Sequence, residues 1–190
     1  MKFKIEQIAI YPADPQAAME LLKAIGADEW AGDHVVALGQ VYGRKRVNEA
    51  DLAFNYDLVD GKEFEVLQYT NGDHWMASNG RTNSVSHLGM HCTDEELVEW
   101  RAFFEGRGIA VAQEVFTQSH TNPVIAGKRT YNYVIFDTKA ILGTDLKFIV
   151  RIDTPEPVVE DEEELGQHPE PEPEQQQLPF EEPKPAKTKK

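Results

Sequence analysis

The chain has 190 residues, of which 41% are hydrophobic, and this suits one globular domain or two small ones. Its formal net charge of −14 argues against a nucleic-acid partner and against an anionic membrane surface. The single cysteine, Cys92, excludes an internal disulfide.

Alternation of apolar and polar residues predicts eight β-strands and two helices. The predicted strands are 3–11, 33–39, 51–59, 62–70, 84–92, 110–118, 129–137 and 145–152. The helices are predicted over 15–26 and 94–107, where Asp14 and Thr93 are suitable N-caps. Each helix carries an apolar stripe that we expect to be buried on one face of a sheet. The stripes are Ala18, Leu21, Leu22 and Ile25 in the first helix, and Leu97, Trp100, Phe103 and Phe104 in the second.

The predicted elements repeat along the chain. The segment IEQIAIYPADPQAAMELLKAIGA at 5–27 matches VSHLGMHCTDEELVEWRAFFEGRGI at 85–109 in its order of strand, polar break and helix. A β-α-β-β-β repeat of this length is too long for a solenoid. We therefore predict two packed copies of one module, over 1–82 and 83–153.

The composition changes at Thr154. Residues 154–190 are dominated by Glu, Pro and Gln, with eleven acidic and four basic residues, and they end in a basic stretch. Because this segment has few large apolar residues to bury, we predict a disordered acidic tail whose partner the sequence does not identify. No apolar run approaches the roughly 18 residues of a membrane-spanning helix. The first residues also lack the pattern of a signal peptide, so we expect a cytoplasmic protein.

Strand alternation places polar side chains together on the faces turned away from the helices. These residues are Gln7, Glu65, His87, His91 and Arg151. A sealed core would exclude so many polar groups, so the pattern predicts a cavity between the modules.

The βαβββ order, together with HLGMHC at 87–92 and FEVLQY at 64–69, resembles the vicinal oxygen chelate superfamily over residues 3–153. This superfamily includes glyoxalase I, bleomycin-resistance proteins and extradiol dioxygenases. The resemblance implies an α+β fold of two βαβββ modules. Their curved mixed sheets would enclose a cavity and carry the helices on the outer face.

The resemblance also implies a metal site. Gln7, Glu65 and His87 match the family's ligand positions, and aligning KFIVR with EFEVL puts Ile149 at the fourth position. Isoleucine cannot bind a metal or move a proton. A divalent ion (Zn, Ni, Fe or Mn) could still use the remaining three ligands, and a degenerate site would hold none.

Other residues are predicted to line the pocket: Tyr69, His91, His120 and Arg151. His91 is four residues from His87, about 13 Å along a strand, so the two cannot share an ion. Arg151 offers an alternative to the metal, because its guanidinium could pair with the carboxylate of Glu65 across the cavity.

The sequence is compatible with two functions. The first is a degenerate or non-standard member of the superfamily that binds a small molecule in the cavity without a metal. The second is a metal-dependent lyase, isomerase or dioxygenase that acts on a vicinal-oxygen substrate. No catalytic base is identified in the sequence, and a homodimer is left open.

Overall fold

The computed structural model describes residues 2–71, 74–75, 82–118, 121–122 and 125–154. His120 lies outside the described residues, and so does the predicted tail apart from Thr154.

The described residues form an α+β fold with eight strands, as predicted. The strands are β1 Gln7–Tyr11, β2 Ala31–Val41, β3 Arg44–Val59, β4 Lys62–Tyr69, β5 Ser84–His91, β6 Val111–Gln118, β7 Arg129–Phe136 and β8 Asp145–Asp153. The helices are α1 Pro15–Ala24, α2 Asp94–Glu105 and α3 Lys139–Leu142, and the sequence patterns missed the last of these. No helix in the described parts of the chain is both long and apolar enough to cross a bilayer.

The eight strands close into a barrel in the order β1-β4-β3-β2-β6-β7-β8-β5. The first four strands form one half and the last four form the other. In each half the first and fourth strands pair in parallel, β1 with β4 and β5 with β8. The halves meet where β1 pairs with β5 and where β2 pairs with β6, both antiparallel. The first strands of the two halves therefore lie side by side.

The hairpin of β2 and β3 is longer than the sequence predicted. The strand β3 begins at Arg44, seven residues before the predicted start at 51. Tyr42 and Gly43 have φ angles of 46° and 74°, and Val41 pairs directly with Arg44. Two residues with positive φ make the tight turn that matches the twist of paired strands, so both strands extend to the turn.

The two helices differ in how they pack. In α2 the side chains of Leu97, Trp100 and Phe104 are buried in a cluster that includes Phe136 and Phe148, as expected. The predicted burial of the α1 stripe is wrong, because no residue of α1 is buried and Leu21 is 65% exposed. The half-buried face of α1 instead runs through residues such as Ala18, Met19 and Leu22.

Candidate functional site

A cavity of about 410 Å³ lies inside the barrel and is lined by residues of both halves. Polar residues at this cavity include Gln7, Glu63, Glu65 and Lys147. Apolar and aromatic residues cover much of the remaining wall, among them Leu52, Phe54, Tyr131, Tyr133 and Ile149. The cavity predicted between the two halves is therefore present.

Strand register brings the polar residues together at the seam between β1 and β5. Gln7 pairs with Glu63 on one side and with Gly89 on the other, and Gly89 pairs with Lys147. In the neighbouring row, Ala9 pairs with both Glu65 and His87. Because side chains two residues apart on a strand share a face, these rows present their polar groups to the same interior.

Four of these side chains converge. The Nε2 atom of His87 lies 2.9 Å from Gln7 Oε1 and 3.2 Å from Glu65 Oε2. The Nζ atom of Lys147 lies 3.6 Å from the same Glu65 oxygen. All four residues are buried, and Glu65 and His87 are 2% and 1% exposed. We call Gln7, Glu65, His87 and Lys147 the buried quartet.

The structure corrects the fourth position, which the sequence comparison assigned to Ile149. In the first half, Gln7 of β1 pairs with Glu63 of β4, and Glu65 is two residues after Glu63. In the second half His87 pairs with Asp145, and two residues further is Lys147. Ile149 pairs instead with His91 and lines the cavity one step further along β8.

The charges of the quartet are set by burial and by Lys147. Burial opposes ionisation of Glu65, but the nearby positive charge of Lys147 outweighs it and lowers the pKa of Glu65. Burial and the same Lys147 charge lower the pKa of His87 to about 4, against the pull of Glu65. At neutral pH the quartet therefore contains a carboxylate, an ammonium group, a neutral imidazole and a neutral amide.

The hydrogen bonds indicate which nitrogen of His87 carries the proton. The Nδ1 atom lies 3.0 Å from Ser86 Oγ, a hydroxyl that can donate to it. The Nε2–H group can then donate to Gln7 Oε1 at 2.9 Å. A neutral imidazole has one N–H, so Glu65 Oε2 lies against the ring without receiving that proton.

Two neighbours position the quartet. The ammonium of Lys147 lies 4.9 Å from the ring centre of Tyr133, a distance suited to a cation–π interaction. Gly89 leaves room for Gln7, because a Cβ at Gly89 would lie 2.8 Å from Gln7 Oε1 and 2.9 Å from Gln7 Cβ. A side chain at position 89 would therefore displace Gln7.

Glu63 is a further cavity residue that the sequence analysis did not single out. Its carboxylate accepts hydrogen bonds from Gln7 Nε2 and, at 3.1 Å, from the hydroxyl of Tyr56. Burial and then the nearby charge of Glu65 raise the pKa of Glu63. The signal was available in the alternation of β4, which places Glu63 and Glu65 on one face.

The quartet fits a divalent metal ion poorly. Gln7, Glu65 and His87 offer an amide oxygen, a carboxylate and an imidazole nitrogen, which are acceptable donor types. The fourth group, however, is an ammonium, which has no lone pair to donate and repels a cation. It already balances the charge of Glu65, so an ion would have to displace Lys147 first.

The remaining predicted residues occupy different places. Arg151 lines the cavity, but its Nε donates to Asp153 Oδ1 at 2.7 Å, and so the predicted pair of Arg151 with Glu65 is wrong. Arg151 is four residues from Lys147 along β8, about 13 Å, which explains why Lys147 is the cation beside Glu65. His91 lines the cavity and lies 3.2 Å from Glu6. Tyr69 is buried at a smaller adjoining pocket.

Comparisons with known proteins return structural similarity only. No protein-family model and no curated protein sequence matches the chain. A variant of methylmalonyl-CoA epimerase from Streptomyces coelicolor, in complex with 2-nitronate-propionyl-CoA, has a TM-score of 0.47 and 16% identity, covering 79% of this chain and 98% of that one. The methylmalonyl-CoA epimerase of Mycobacterium tuberculosis has a TM-score of 0.46 and 11% identity, covering 83% and 93%.

A mutant of 4-hydroxymandelate synthase from Streptomyces coelicolor has a TM-score of 0.48 and 12% identity, covering 80% of this chain and 49% of that one. The described residues themselves have two β-α-β-β-β halves, apart from the short helix α3, around a shared cavity. This is the arrangement that the resemblance of the sequence to the vicinal oxygen chelate superfamily implied. These three similarities have TM-scores below 0.5 and identities of 16% or less, so the function has to be argued from the site.

Proposed function

We propose that the protein binds a small organic molecule in the cavity between its two halves, without a metal ion. It would be a non-standard member of the vicinal oxygen chelate superfamily. The observation that carries this proposal is the position of Lys147, whose ammonium lies 3.6 Å from Glu65 Oε2 in the buried quartet. A lysine there supplies from the chain itself the positive charge that an ion would bring.

The cavity supports the binding of an organic molecule. Its volume of about 410 Å³ lies in the range typical of small-molecule sites, roughly 300–1,000 Å³. The wall combines apolar side chains such as Leu52 and Ile149 with a few polar groups, which is the usual composition of such sites.

A metal titration tests the first part of the proposal. We expect Zn²⁺, Ni²⁺, Mn²⁺ and Fe²⁺ to leave the melting temperature of the parent protein unchanged. The variant Lys147→Glu should be stabilised by at least one of these ions, because it has two carboxylates and an imidazole at the site. The matched variant Ile149→Glu should gain no such stabilisation, since position 149 lies outside the quartet.

The outcomes separate the alternatives. Stabilisation of the parent by an ion, abolished in His87→Ala, would overturn the metal-free proposal. A gain in Ile149→Glu but not in Lys147→Glu would show that the fourth position had been assigned wrongly. If Lys147→Glu does not fold without metal, its refolding yield with and without Zn²⁺ provides the same comparison.

A fragment screen tests the second part. Ligand-observed NMR of the parent protein should detect small aromatic and alicyclic molecules. The variant Ile149→Trp, which places a large ring in the cavity, should lose that binding while keeping a cooperative unfolding transition. Equal binding by both proteins would place the ligands elsewhere and would contradict the proposal.

A second candidate function is a metal-dependent lyase, isomerase or dioxygenase with a vicinal-oxygen substrate. It is favoured by the close approach of three donor atoms, with His87 Nε2 within 3.2 Å of both Gln7 Oε1 and Glu65 Oε2. This function requires Lys147 to leave the quartet when the ion binds. The metal titration of the parent protein decides between the two candidates.

A further inference from the structure

A second, smaller pocket adjoins the cavity at the quartet. Its volume is about 40 Å³, and Glu65, Thr117, Tyr133 and Lys147 line both spaces. His87 lines the small pocket and is not among the residues lining the large cavity. We call this small space the inner pocket. One end of a molecule bound in the large cavity would therefore lie next to the inner pocket.

The inner pocket contains several polar atoms without hydrogen-bond partners. Among the described residues, four buried side-chain polar atoms lack such a partner, and three of them belong to residues lining this pocket. These three are Asn48 Oδ1, Glu65 Oε2 and Thr117 Oγ1. A buried polar atom without a hydrogen-bond partner destabilises the folded state, and folded proteins keep few of them. Three such atoms around one small pocket indicate that a polar group from outside the chain forms hydrogen bonds with them.

The lack of a hydrogen-bond partner at Glu65 Oε2 has a geometric explanation. The Nε2–H of His87 can donate to Gln7 Oε1, which is nearer than the Glu65 oxygen. The Lys147 ammonium at 3.6 Å is within ion-pair distance but beyond hydrogen-bond distance. The carboxylate oxygen therefore retains a lone pair for a donor that enters from the cavity.

The charges around the inner pocket select the kind of group that can enter. A second ammonium would meet the charge of Lys147, and a carboxylate would meet the charge of Glu65. A neutral hydroxyl avoids both repulsions. It has one proton to donate and lone pairs to accept with, and a threonine hydroxyl can supply the complementary donor.

We propose that the inner pocket binds a hydroxyl group of the ligand, which donates to Glu65 and accepts from Thr117. This inference rests on the proposed function, because it names a chemical feature of the molecule in the same cavity. A water molecule needs roughly 10–15 Å³, so a space of about 40 Å³ holds a hydroxyl and the carbon that carries it. The remainder of the ligand would lie against Leu52, Phe54 and Ile149, which favours a ring.

Phenol and anisole are suitable probes, because they share a ring and differ in whether the oxygen carries a proton. Each is titrated into the parent protein and followed by NMR through the methyl groups of Ile149 and Leu52. We expect phenol to bind about tenfold more tightly than anisole, because only phenol can donate a hydrogen bond to the charged Glu65 carboxylate. The variant Thr117→Val, of nearly equal volume, should reduce that preference. The matched control is Thr130→Val on β7. Thr130 is next to the cavity residue Tyr131, so its side chain points away from the cavity, and this variant should keep the preference for phenol.

The experiment can overturn the inference in three ways. Equal affinities for phenol and anisole would show that the inner pocket does not select a donor, as expected if it is filled by water alone. An unchanged preference in Thr117→Val would remove Thr117 from the site. Binding of neither probe would reject a hydroxyl-bearing ring as the ligand class. The two failures are distinguishable: a fragment screen that detects no ligand of the cavity rejects the proposed function, whereas a screen with ligands but no preference for phenol rejects only the hydroxyl site.

Discussion

Lys147 determines the chemistry of the buried quartet. A lysine that is 9% exposed and lies beside a carboxylate that is 2% exposed forms an ion pair with little water around it. Such a pair contributes little net stability compared with an apolar pair of the same shape, but breaking it leaves an uncompensated buried charge. The quartet is therefore sensitive to loss of either charged partner.

Replacement of Lys147 tests this dependence. We expect Lys147→Met to lower the free energy of unfolding at pH 7 by roughly 3–5 kcal/mol, because the Glu65 carboxylate stays buried without its cation. The double variant Lys147→Met with Glu65→Gln should recover much of that loss, since no charge remains to be compensated. Urea denaturation of the parent and of the variants measures both effects. A loss in the double variant as large as that in the single variant would contradict the ion-pair argument.

The neutral state of His87 predicts a dependence of stability on pH. Its pKa of about 4 in the folded protein lies below the value of roughly 6.5 expected in the unfolded chain. The unfolded state therefore takes up a proton first as the pH falls. The contribution is present above pH 6.5 and is lost progressively between about pH 6.5 and 4, to a total of roughly 3 kcal/mol.

Denaturation of the parent and of His87→Gln from pH 4 to 8 measures the contribution of His87 to the pH dependence of stability. The parent should lose more stability than the variant as the pH falls below 6.5. His34→Gln is the control, because the hydrogen bond to Asp51 raises the pKa of His34. That contribution is present at low pH and is lost as the pH rises through the folded pKa, which is the opposite direction. Equal slopes in the parent and in His87→Gln would refute the assignment of a neutral buried imidazole.

At the scale of elements, the seam between β1 and β5 holds the site together. It joins the two halves and brings Gln7 beside Gly89 and Ala9 beside His87. The absence of a side chain at Gly89 is what allows Gln7 to lie across the seam. Small changes at this seam should therefore affect both stability and the cavity.

Two glycine substitutions test the seam. Gly89→Ala should destabilise the protein by roughly 1–3 kcal/mol, because the new methyl group collides with Gln7. Gly32→Ala is the control, since a Cβ there meets its nearest atom at 4.0 Å. It should leave stability unchanged or slightly improved, because alanine has fewer unfolded conformations than glycine. Thermal and urea unfolding measure both, and equal stabilities would show that Gln7 moves aside without cost.

The two longer helices should respond differently to truncation of an apolar side chain. Leu97→Ala in α2 should cost roughly 2–5 kcal/mol, because Leu97 is part of the buried cluster under that helix. Leu21→Ala in α1 should have almost no effect, because Leu21 is 65% exposed. A large loss in Leu21→Ala would mean that this face of α1 is covered in solution, and size-exclusion chromatography would then show whether a second copy covers it.

For the molecule as a whole, the sequence was sufficient for the repeated order of elements and for the α+β class. Each of these depends on alternation within a strand or on a pattern that occurs twice. The fourth member of the quartet was missed because it depends on register between distant strands. In the first half, Gln7 of β1 pairs with Glu63 of β4, which is 56 residues later in the chain. In the second half, His87 of β5 pairs with Asp145 of β8, which is 58 residues later. Local sequence similarity between KFIVR and EFEVL cannot reveal that difference.

The exposed stripe of α1 and the early start of β3 also escaped the sequence analysis, for a different reason. An amphipathic pattern shows that a helix has an apolar side but not how closely that side is packed. The polar stretch at the start of β3 does not alternate clearly, and its extended form follows from the turn at Tyr42 and Gly43. Tertiary pairing overrides weak local preference in such cases.

The folded unit ends shortly after β8. The strand β8 ends at Asp153, and the backbone N–H of Thr154 still donates to Lys128 O at 2.8 Å. The residues beyond are rich in Glu, Pro and Gln, and their composition predicts little burial. A chain ending at Glu156 should therefore keep its melting temperature within a few degrees of the full-length protein. A chain ending at Thr144 should lose its cooperative transition, because it lacks the barrel strand that carries Lys147 and Phe148. A large drop in the first truncation would show that the acidic segment packs on the barrel.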